Sequence, residues 1–292
     1  MVDVRSVAIL SPGEMGSAIG GFLARRGLSV ITSLDGRSER SVELARRAGI
    51  EDVGSLDRVV AEADVVFSVL ASAAAPELAG AIARRLPGRD RPLTFVECNA
   101  LAPETTRAIA GVVADAGGHV VDVGIVGSPP TEHRGPRFYA SGPYLDDFLA
   151  FREYGLDVLP LGAEIGQASG LKMTYAALTK GLTALGTELL LTASKLELLD
   201  PLLGELSDSQ PALLDWLEKA LPGMPPKSRR WVSEMQEIAR TFAREGQSPS
   251  YHQAASDLYR RVGETGLGHE RPESRDQSRT MRTVVESLAG EI

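Results

Sequence analysis

Short apolar runs alternate with helical patterns along the first 160 residues. The runs have the length of buried strands and cover residues 6–10, 28–32, 65–70, 93–96 and 119–123. Helical patterns of about 10 to 15 residues separate them, an alternation that is typical of a parallel sheet with helices on both faces. The sequence therefore predicts an α/β fold, with a doubly wound parallel sheet over residues 1–162.

The pattern changes after residue 162. Leu171, Tyr175 and the leucines that follow, up to Leu189, recur at alternating steps of four and three, which predicts one long helix. Further helical patterns, bounded by proline or glycine, cover residues 210–220, 227–245, 251–264 and 275–289. We therefore expect a second, all-helical domain over residues 163–292. The leucine stripe is about 27 Å long, too long for this domain to cover alone, so we expect a homodimer.

Composition excludes several classes of protein. The net charge of −8 argues against binding to nucleic-acid phosphates or an anionic membrane surface. Cys98 is the only cysteine and the four histidines lack ligand spacing, which leaves no disulfide and no recognisable metal site. The longest apolar stretch ends at Pro76, well short of a membrane span, and no leader pattern precedes the first strand. We expect a cytoplasmic protein whose partner is a small-molecule substrate.

The turn after the first strand reads AILSPGEMGSAIGG. Against the dinucleotide pattern G-x-G-x-x-G, Gly13 and Gly16 occupy the second and third glycine positions, and Ser11 replaces the first. Because Pro12 biases Ser11 toward extended backbone, we expect the tight turn to be made differently. The amides of the following helix would still face an anion. By itself the pattern fits both a phosphate cradle and an ordinary strand-to-helix turn.

The end of the second strand bears on the choice between NADP and NAD. A carboxylate here, such as Asp35, would bind the ribose 2′-hydroxyl of NAD, whereas Ser33, Arg37, Ser38 and Arg40 suit the additional phosphate of NADP. Ser38 could equally be a simple helix cap. We favour NADP as the cofactor, with NAD as the alternative.

These motifs, in this order, resemble the 6-phosphogluconate-dehydrogenase-like superfamily, specifically the short β-hydroxyacid dehydrogenases and their imine-reductase relatives. SPGEMG resembles the signature G-x-G-x-M-G, residues 99–103 the nicotinamide-side loop, and DVGIVGS at residues 122–128 the substrate loop. GQASGLKMTYA resembles the catalytic stretch and aligns Lys172 with the catalytic lysine. LKMTYAALTKG and MPPKSRRWVSEM look most like a subgroup with a C-terminal domain of unknown function.

The resemblance implies a Rossmann-type domain followed by a helical domain, and it implies site residues. Those for the cofactor are Ser11, Pro12, Gly13, Glu14, Met15, Gly16, Ser33, Arg37, Ser38, Leu70 and Asn99. Those for the substrate are Gly127, Ser128, Ala176, Thr179 and Glu234. The chain departs from the family at Val126, Ala176 and Glu234, where the family has serine, asparagine and a second lysine. These departures favour a substrate that is bulkier or less anionic than a small 3-hydroxy acid.

Lys172 is the candidate general acid/base. Lys172, Ala176, Thr179 and Thr183 share one narrow helix face, separate from the leucine stripe. We expect an NADP-dependent oxidoreductase in which Lys172 exchanges a proton with a hydroxyl or carbonyl substrate. An imine reductase is the alternative within the same class, and a non-catalytic dinucleotide-binding regulatory protein is the alternative of another class. Lys180 could steer an anion or lie exposed. Cys98 and the pair Tyr251 and His252 are predicted to be structural.

Overall fold

The computed structural model of the protein describes residues 4–132 and 134–292, so His133 lies outside the described residues. A mixed sheet occupies the N-terminal part of the chain. Its strands are β1 (Ser6–Leu10), β2 (Ser29–Thr32), β3 (Glu51–Asp52), β4 (Val65–Ser68), β5 (Thr94–Glu97), β6 (His119–Val126), β7 (Arg137–Ser141) and β8 (Asp157–Gly162). Their order across the sheet is β3-β2-β1-β4-β5-β6-β7-β8. The predicted doubly wound α/β fold is confirmed.

Helices connect the strands and then make up the rest of the chain. Those between strands are α1 (Glu14–Ala24), α2 (Glu39–Ala48), α3 (Leu56–Glu62), α4 (Ala75–Ala83), α5 (Pro103–Asp115) and α6 (Leu145–Leu149). Those after the sheet are α7 (Gln167–Lys195), α8 (Leu199–Ser209), α9 (Pro211–Ala220), α10 (Ser228–Arg244), α11 (Ser250–Glu264) and α12 (Met281–Ala289). Residues 174–292, all of them described, contain no strand. The helical character predicted for the second half of the chain is confirmed.

The sheet differs from its prediction at both ends. At one edge, the two-residue strand β3 was not predicted, because Glu51 and Asp52 are polar. β6 runs three residues past the predicted end at residue 123 and pairs with β7 in antiparallel orientation, so the sheet is not wholly parallel. β7 and β8 were not predicted, because RFYAS and DVLPLG mix polar and apolar residues without a long apolar run. α8 was also missed, and α12 begins at Met281 rather than at residue 275.

Two apolar clusters cover the two faces of the sheet. Val7 and Ile9 of β1 point into one cluster, whose largest members include Phe67 and Phe148. Ala8 and Leu10 point into the other. A strand buried on both faces has apolar residues at consecutive positions rather than at alternate ones, which is why the sequence shows continuous apolar runs. The packing of these clusters therefore fixes the strand ends, next to which most of the candidate cofactor-binding residues lie.

The chain divides into two compact units at Met173 and Thr174, inside α7. We call them the N-terminal unit and the C-terminal unit. The predicted boundary at residue 162 coincides with the end of β8 and stays a prediction. The first turns of α7 lie within the N-terminal unit, where α7 packs closely on β6 through Gly124. Among the described helices, none is both long and apolar enough to cross a membrane.

Candidate functional site

The turn between β1 and α1 has a left-handed residue at Ser11, with φ at +66°. The expectation that Pro12 holds Ser11 in extended backbone is therefore wrong. Ser11 takes the conformation for which the family pattern uses its first glycine, and its carbonyl accepts a hydrogen bond from Gly13 N at 2.7 Å. A left-handed non-glycine residue costs roughly 1 to 2 kcal/mol, which the surrounding turn must offset.

The two glycines of this turn have different surroundings. A Cβ at Gly16 would lie 3.0 Å from the Ser11 carbonyl oxygen and 3.1 Å from Ile9 Cγ2, so Gly16 allows α1 to pack closely on β1. A Cβ at Gly13 would meet no atom within 4 Å. The side of the turn at Gly13 is therefore open, and the first-turn amides of α1, including those of Glu14 and Met15, lack intrahelical acceptors. This geometry fits a pyrophosphate group, with the positive end of the helix dipole directed toward it.

The end of β2 combines a buried polar side chain with an exposed loop. Thr32 is buried and donates a hydrogen bond to the Ile9 carbonyl oxygen at 2.7 Å, and Ser33 beyond it is also buried. Asp35 and Arg37 are exposed. Ser38 is the N-cap of α2, and its Oγ accepts a hydrogen bond from the Ser41 amide at 3.3 Å. Arg37 is exposed at the position that the NADP prediction requires.

The loops after β4 and β5 are joined by the side chain of Asn99. Asn99 Oδ1 accepts a hydrogen bond from the Leu70 amide at 2.6 Å. Asn99 Nδ2 donates to Ser68 Oγ at 2.8 Å and to Glu97 Oε1 at 2.5 Å, and the Asn99 amide also donates to Glu97 Oε1, at 2.8 Å. Leu70 and Asn99, both predicted as cofactor-binding residues, therefore bind each other. Sequence reasoning missed Glu97, although a glutamate that ends the apolar run TFVE was a visible signal.

Glu97 is a carboxylic acid buried in the sheet, with 1% of its surface exposed. Burial raises its pKa to about 8, and the carboxyl group of Asp122 acts in the same direction. The hydrogen bonds from Asn99 and Ser68 oppose the shift. A pKa in this range favours the protonated form of Glu97 at pH 7.

Lys172 lies in the second turn of α7, above β6. A Cβ at Gly124 of β6 would lie 3.2 Å from Lys172 Cβ and 2.7 Å from the Ala168 carbonyl oxygen. Only glycine at position 124 therefore permits this close contact between helix and strand. The Lys172 side chain is half-buried, and its charge favours the thiolate form of buried Cys98. A lysine, a buried thiol and the end of β5 thus lie close together within the N-terminal unit.

Asp122 holds the start of α7. Its carboxylate accepts hydrogen bonds from the amides of Gly166 and Ser169 at 2.8 and 3.0 Å, and from Ser169 Oγ at 2.5 Å. Ser141 Oγ donates to it at 3.3 Å. Burial raises the pKa of Asp122, and these donors oppose that shift. Because Ser169 precedes Lys172 by three residues, Asp122 orients the turn that bears the lysine.

The residues predicted to bind substrate divide between the two units. Gly127 and Ser128 are exposed in the N-terminal unit, directly after β6. In the C-terminal unit Ala176 is buried and Thr179 is half-buried, both on α7. Glu234 of α10 binds Lys180 Nζ with its Oε2 at 2.7 Å and Arg230 Nε with its Oε1 at 3.1 Å.

The pairing with Glu234 settles the environment of Lys180. Its side chain is 14% exposed, and its ammonium lies 5.7 Å from the centre of the Trp231 ring. Two cations thus bind Glu234. Lys180 is neither exposed nor free to steer an anion.

Tyr251 and His252 begin α11 in the C-terminal unit. Tyr251 donates its hydroxyl proton to the Gly181 carbonyl oxygen at 2.8 Å. His252 packs edge-on against Phe242, and burial lowers its pKa. Among the described residues, His252 Nδ1 has no hydrogen-bond partner. The Tyr251 hydroxyl supports α7, in keeping with the structural role predicted for the pair.

The sheet order, the open turn after β1 and the polar strand ends define a Rossmann-type dinucleotide-binding protein. Residues 6–146 match the NAD binding domain of 6-phosphogluconate dehydrogenase, and residues 193–262 match a domain of unknown function, DUF1932. The chain therefore combines an NAD-binding domain of the 6-phosphogluconate dehydrogenase type with a C-terminal DUF1932 domain. An uncharacterised 28.5 kDa protein of Methanothermus fervidus, from the 7S RNA 5′ region, is 24% identical over 259 residues, which cover 88% of this chain and 99% of the relative.

Solved structures share the fold. The conserved protein MTH1747 of unknown function, described as structurally similar to 3-hydroxyacid dehydrogenases, is 28% identical with a TM-score of 0.65, over 88% of this chain and 96% of that one. The Mycobacterium tuberculosis 3-hydroxyisobutyrate dehydrogenase, solved with L-serine, is 16% identical with a TM-score of 0.67, over 98% and 99% of the two chains. Imine reductases have the same fold. The chain thus has the same fold as 3-hydroxyisobutyrate dehydrogenase and the imine reductases.

Proposed function

We propose that the protein is an NADP-dependent oxidoreductase that interconverts a hydroxyl and a carbonyl group on a small-molecule substrate. The proposal depends on the turn after β1. Ser11 has a left-handed backbone conformation there, and no atom lies within 4 Å of the position of a Cβ at Gly13, which leaves space for a ligand. A regulatory dinucleotide-binding protein would also need this turn. The half-buried Lys172 in the same unit favours catalysis, because it aligns with the catalytic lysine of the family that the sequence resembles.

The residues at the end of β2 support NADP rather than NAD. Arg37 is exposed and adjacent to Ser38, so that a guanidinium and a hydroxyl would both reach a 2′-phosphate. Calorimetric titration with NADPH and NADH tests the preference. Arg37→Ala is expected to weaken NADPH binding by about 1.5 to 3 kcal/mol and to leave NADH binding almost unchanged. Equal affinities in the parent protein would instead favour Asp35 as a ligand of the ribose hydroxyls of NAD.

Lys172 is the proposed general acid/base. The nicotinamide of a bound cofactor would supply or accept the hydride. The Lys172 ammonium would donate its proton to the substrate oxygen during reduction, and the amine would take it back during oxidation. Asp122 would keep the lysine in place through the first turn of α7.

Replacement of Lys172 tests this role. Lys172→Met keeps the length of the side chain and removes its charge, so turnover is expected to fall by about 10² to 10⁴ while cofactor affinity barely changes. Lys172→Arg is expected to do little better, since arginine is not deprotonated. If Lys172→Met kept most of its turnover, Lys172 would not be the proton donor, and Tyr175, Tyr251 and His252 would be the next candidates.

Imine reduction is the second candidate, since imine reductases share the fold. The resemblance does not lead us to expect a lysine at the catalytic position of an imine reductase, so Lys172 favours the carbonyl substrate. Oxidation of NADPH and of NADH in the presence of panels of carbonyl and imine compounds separates the two. The absence of turnover on either panel, with tight cofactor binding, would favour the regulatory protein.

A further inference from the structure

The polar groups of Ser68, Leu70, Glu97 and Asn99 form one buried cluster beneath the loops that follow β4 and β5. We call it the Asn99 cluster. Asn99 is 5% exposed, and its amide group is fully engaged: Oδ1 with the Leu70 amide, and Nδ2 with Ser68 and Glu97. A side chain whose donors and acceptor are already used within the protein is a poor ligand for a cofactor.

Glu97 supplies the hydrogen-bond acceptor that holds Asn99 in this cluster. Its Oε1 accepts both N–H groups that Asn99 directs toward it, whereas its Oε2 is buried and has no hydrogen-bond partner among the described residues. An ionised carboxylate with one unpaired oxygen is unfavourable in the interior of a sheet, and Asp122 stands opposite Glu97 in the β5 and β6 register. The other ionisable groups nearby are Cys98 and Lys172, and only Lys172 is cationic.

The cluster joins the segments that follow β4 and β5, and β4 borders the point where the strand order reverses. In open α/β sheets ligands bind beyond the carboxyl ends of the strands at this point, which here lies between β1 and β4. A second bond, from Ser72 Oγ to the Ala100 carbonyl oxygen at 2.8 Å, joins the same two loops. The two loops are therefore held together by the Asn99 cluster, which includes the buried carboxyl group of Glu97, and by this second bond.

We propose that Glu97, held in its protonated form, is a positioning residue that fixes Asn99 and, through Asn99, the loop at Leu70 beside the proposed dinucleotide site. In this arrangement Asn99 acts through the loop backbone and is not itself a cofactor ligand. The inference rests on the proposed dinucleotide site and adds a residue that no sequence motif assigned.

The first test measures titration of Glu97 without any cofactor. A native carboxyl group with a pKa of about 8 keeps its proton between pH 5 and 8, whereas the same group in the unfolded chain releases it near pH 4.5. The free energy of unfolding of the parent protein therefore falls as the pH rises through this window and levels off above it. The Glu97→Gln variant lacks this pH-dependent contribution to stability, because glutamine does not ionise. The Tm of Glu97→Gln minus that of the parent is expected to grow from pH 5 to pH 8 and then stay constant. A difference independent of pH would overturn the neutral state of Glu97. Glu62→Gln, an exposed glutamate, is the matched control and should give a flat difference.

The second test measures coupling between Glu97 and Asn99 by NADPH titration at pH 7. Glu97→Gln, which keeps a neutral acceptor, is expected to bind NADPH within about threefold of the parent. Glu97→Ala and Asn99→Ala are each expected to raise the Kd about tenfold, and the double variant no further than Asn99→Ala alone. Additive effects would mean that Asn99 and Glu97 act separately and would overturn the proposal. So would a Glu97→Gln protein as impaired as Glu97→Ala.

The two tests fail independently of the proposed function. If the parent protein binds neither NADPH nor NADH, the proposed function is wrong, and the pH dependence of Tm still decides whether Glu97 is neutral. If Glu97→Ala does not fold, Glu97→Gln can still be compared with Asn99→Ala. The proposal requires Glu97→Gln to bind NADPH as the parent protein does, and Asn99→Ala to bind it about tenfold more weakly.

Discussion

At the scale of single residues, Gly124 sets the distance between β6 and the turn that carries Lys172. A Cβ at this position would lie 2.7 Å from the backbone oxygen of Ala168, which cannot rotate away as a side chain would. Gly124→Ala is therefore expected to lower the free energy of unfolding by about 1 to 3 kcal/mol and to reduce turnover through displacement of Lys172. Denaturant titration and steady-state kinetics measure the two effects.

A glycine without close neighbours provides the control for this substitution. A Cβ at Gly111, in α5, would meet no atom within 4 Å. Gly111→Ala should raise stability by roughly 0.5 to 1 kcal/mol, because alanine is the better helix former, and should leave turnover unchanged. If both variants were equally stable, the close contact at Gly124 would have no energetic consequence.

At the scale of elements, the start of α2 has two roles that one substitution can separate. Ser38 caps the helix, and it also stands beside Arg37 where a 2′-phosphate would bind. Aspartate is as good an N-cap as serine, so Ser38→Asp should leave the Tm unchanged, but its charge should weaken NADPH binding at least about tenfold and spare NADH. Paired titrations with the two cofactors measure this. Unchanged NADPH affinity would mean that Ser38 is a cap alone.

At the scale of the whole molecule, α7 bears an apolar stripe that this chain does not bury. Tyr175, Leu178 and Leu185 are 50%, 64% and 53% exposed, and Leu189 continues the stripe. An exposed stripe of this length favours association with a second copy, and we propose a homodimer. Sedimentation at micromolar concentration is expected to show a dimer of the 31.1 kDa chain, and Leu178→Glu combined with Leu185→Glu to shift it to monomer. Asp208→Lys, an exposed charge change on α8, should leave the dimer intact. A monomeric parent protein would refute the proposal.

The sequence predicted the elements that have a single dominant signal. β1, β2, β4 and β5 lie within mostly apolar runs because these strands are largely buried on both faces, and the apolar residues of α7 recur at helical spacing. β7 and β8 were not predicted, because polar residues interrupt their apolar runs. At the candidate site, Gly13, Gly16 and Lys172 could be assigned roles from the sequence because the motifs that contain them are short stretches of consecutive residues. The environments of Glu97, Asp122 and Lys180 depend on contacts with residues distant in sequence, and no local pattern contains that information.

The placement of the one cysteine has a practical consequence. Cys98 lies between Glu97 and Asn99, is buried, and has a pKa raised well above that of an ordinary thiol. A disulfide reagent such as Ellman's reagent should therefore react only during transient opening of the segment after β5, at a rate set by that opening. Because Cys98 is the sole thiol in the chain, the absorbance of the released thiolate reports this single event. Saturating dinucleotide is expected to slow the reaction, because it would oppose opening of this segment. The rate of thiol modification thus reports local opening near the proposed site without an added label.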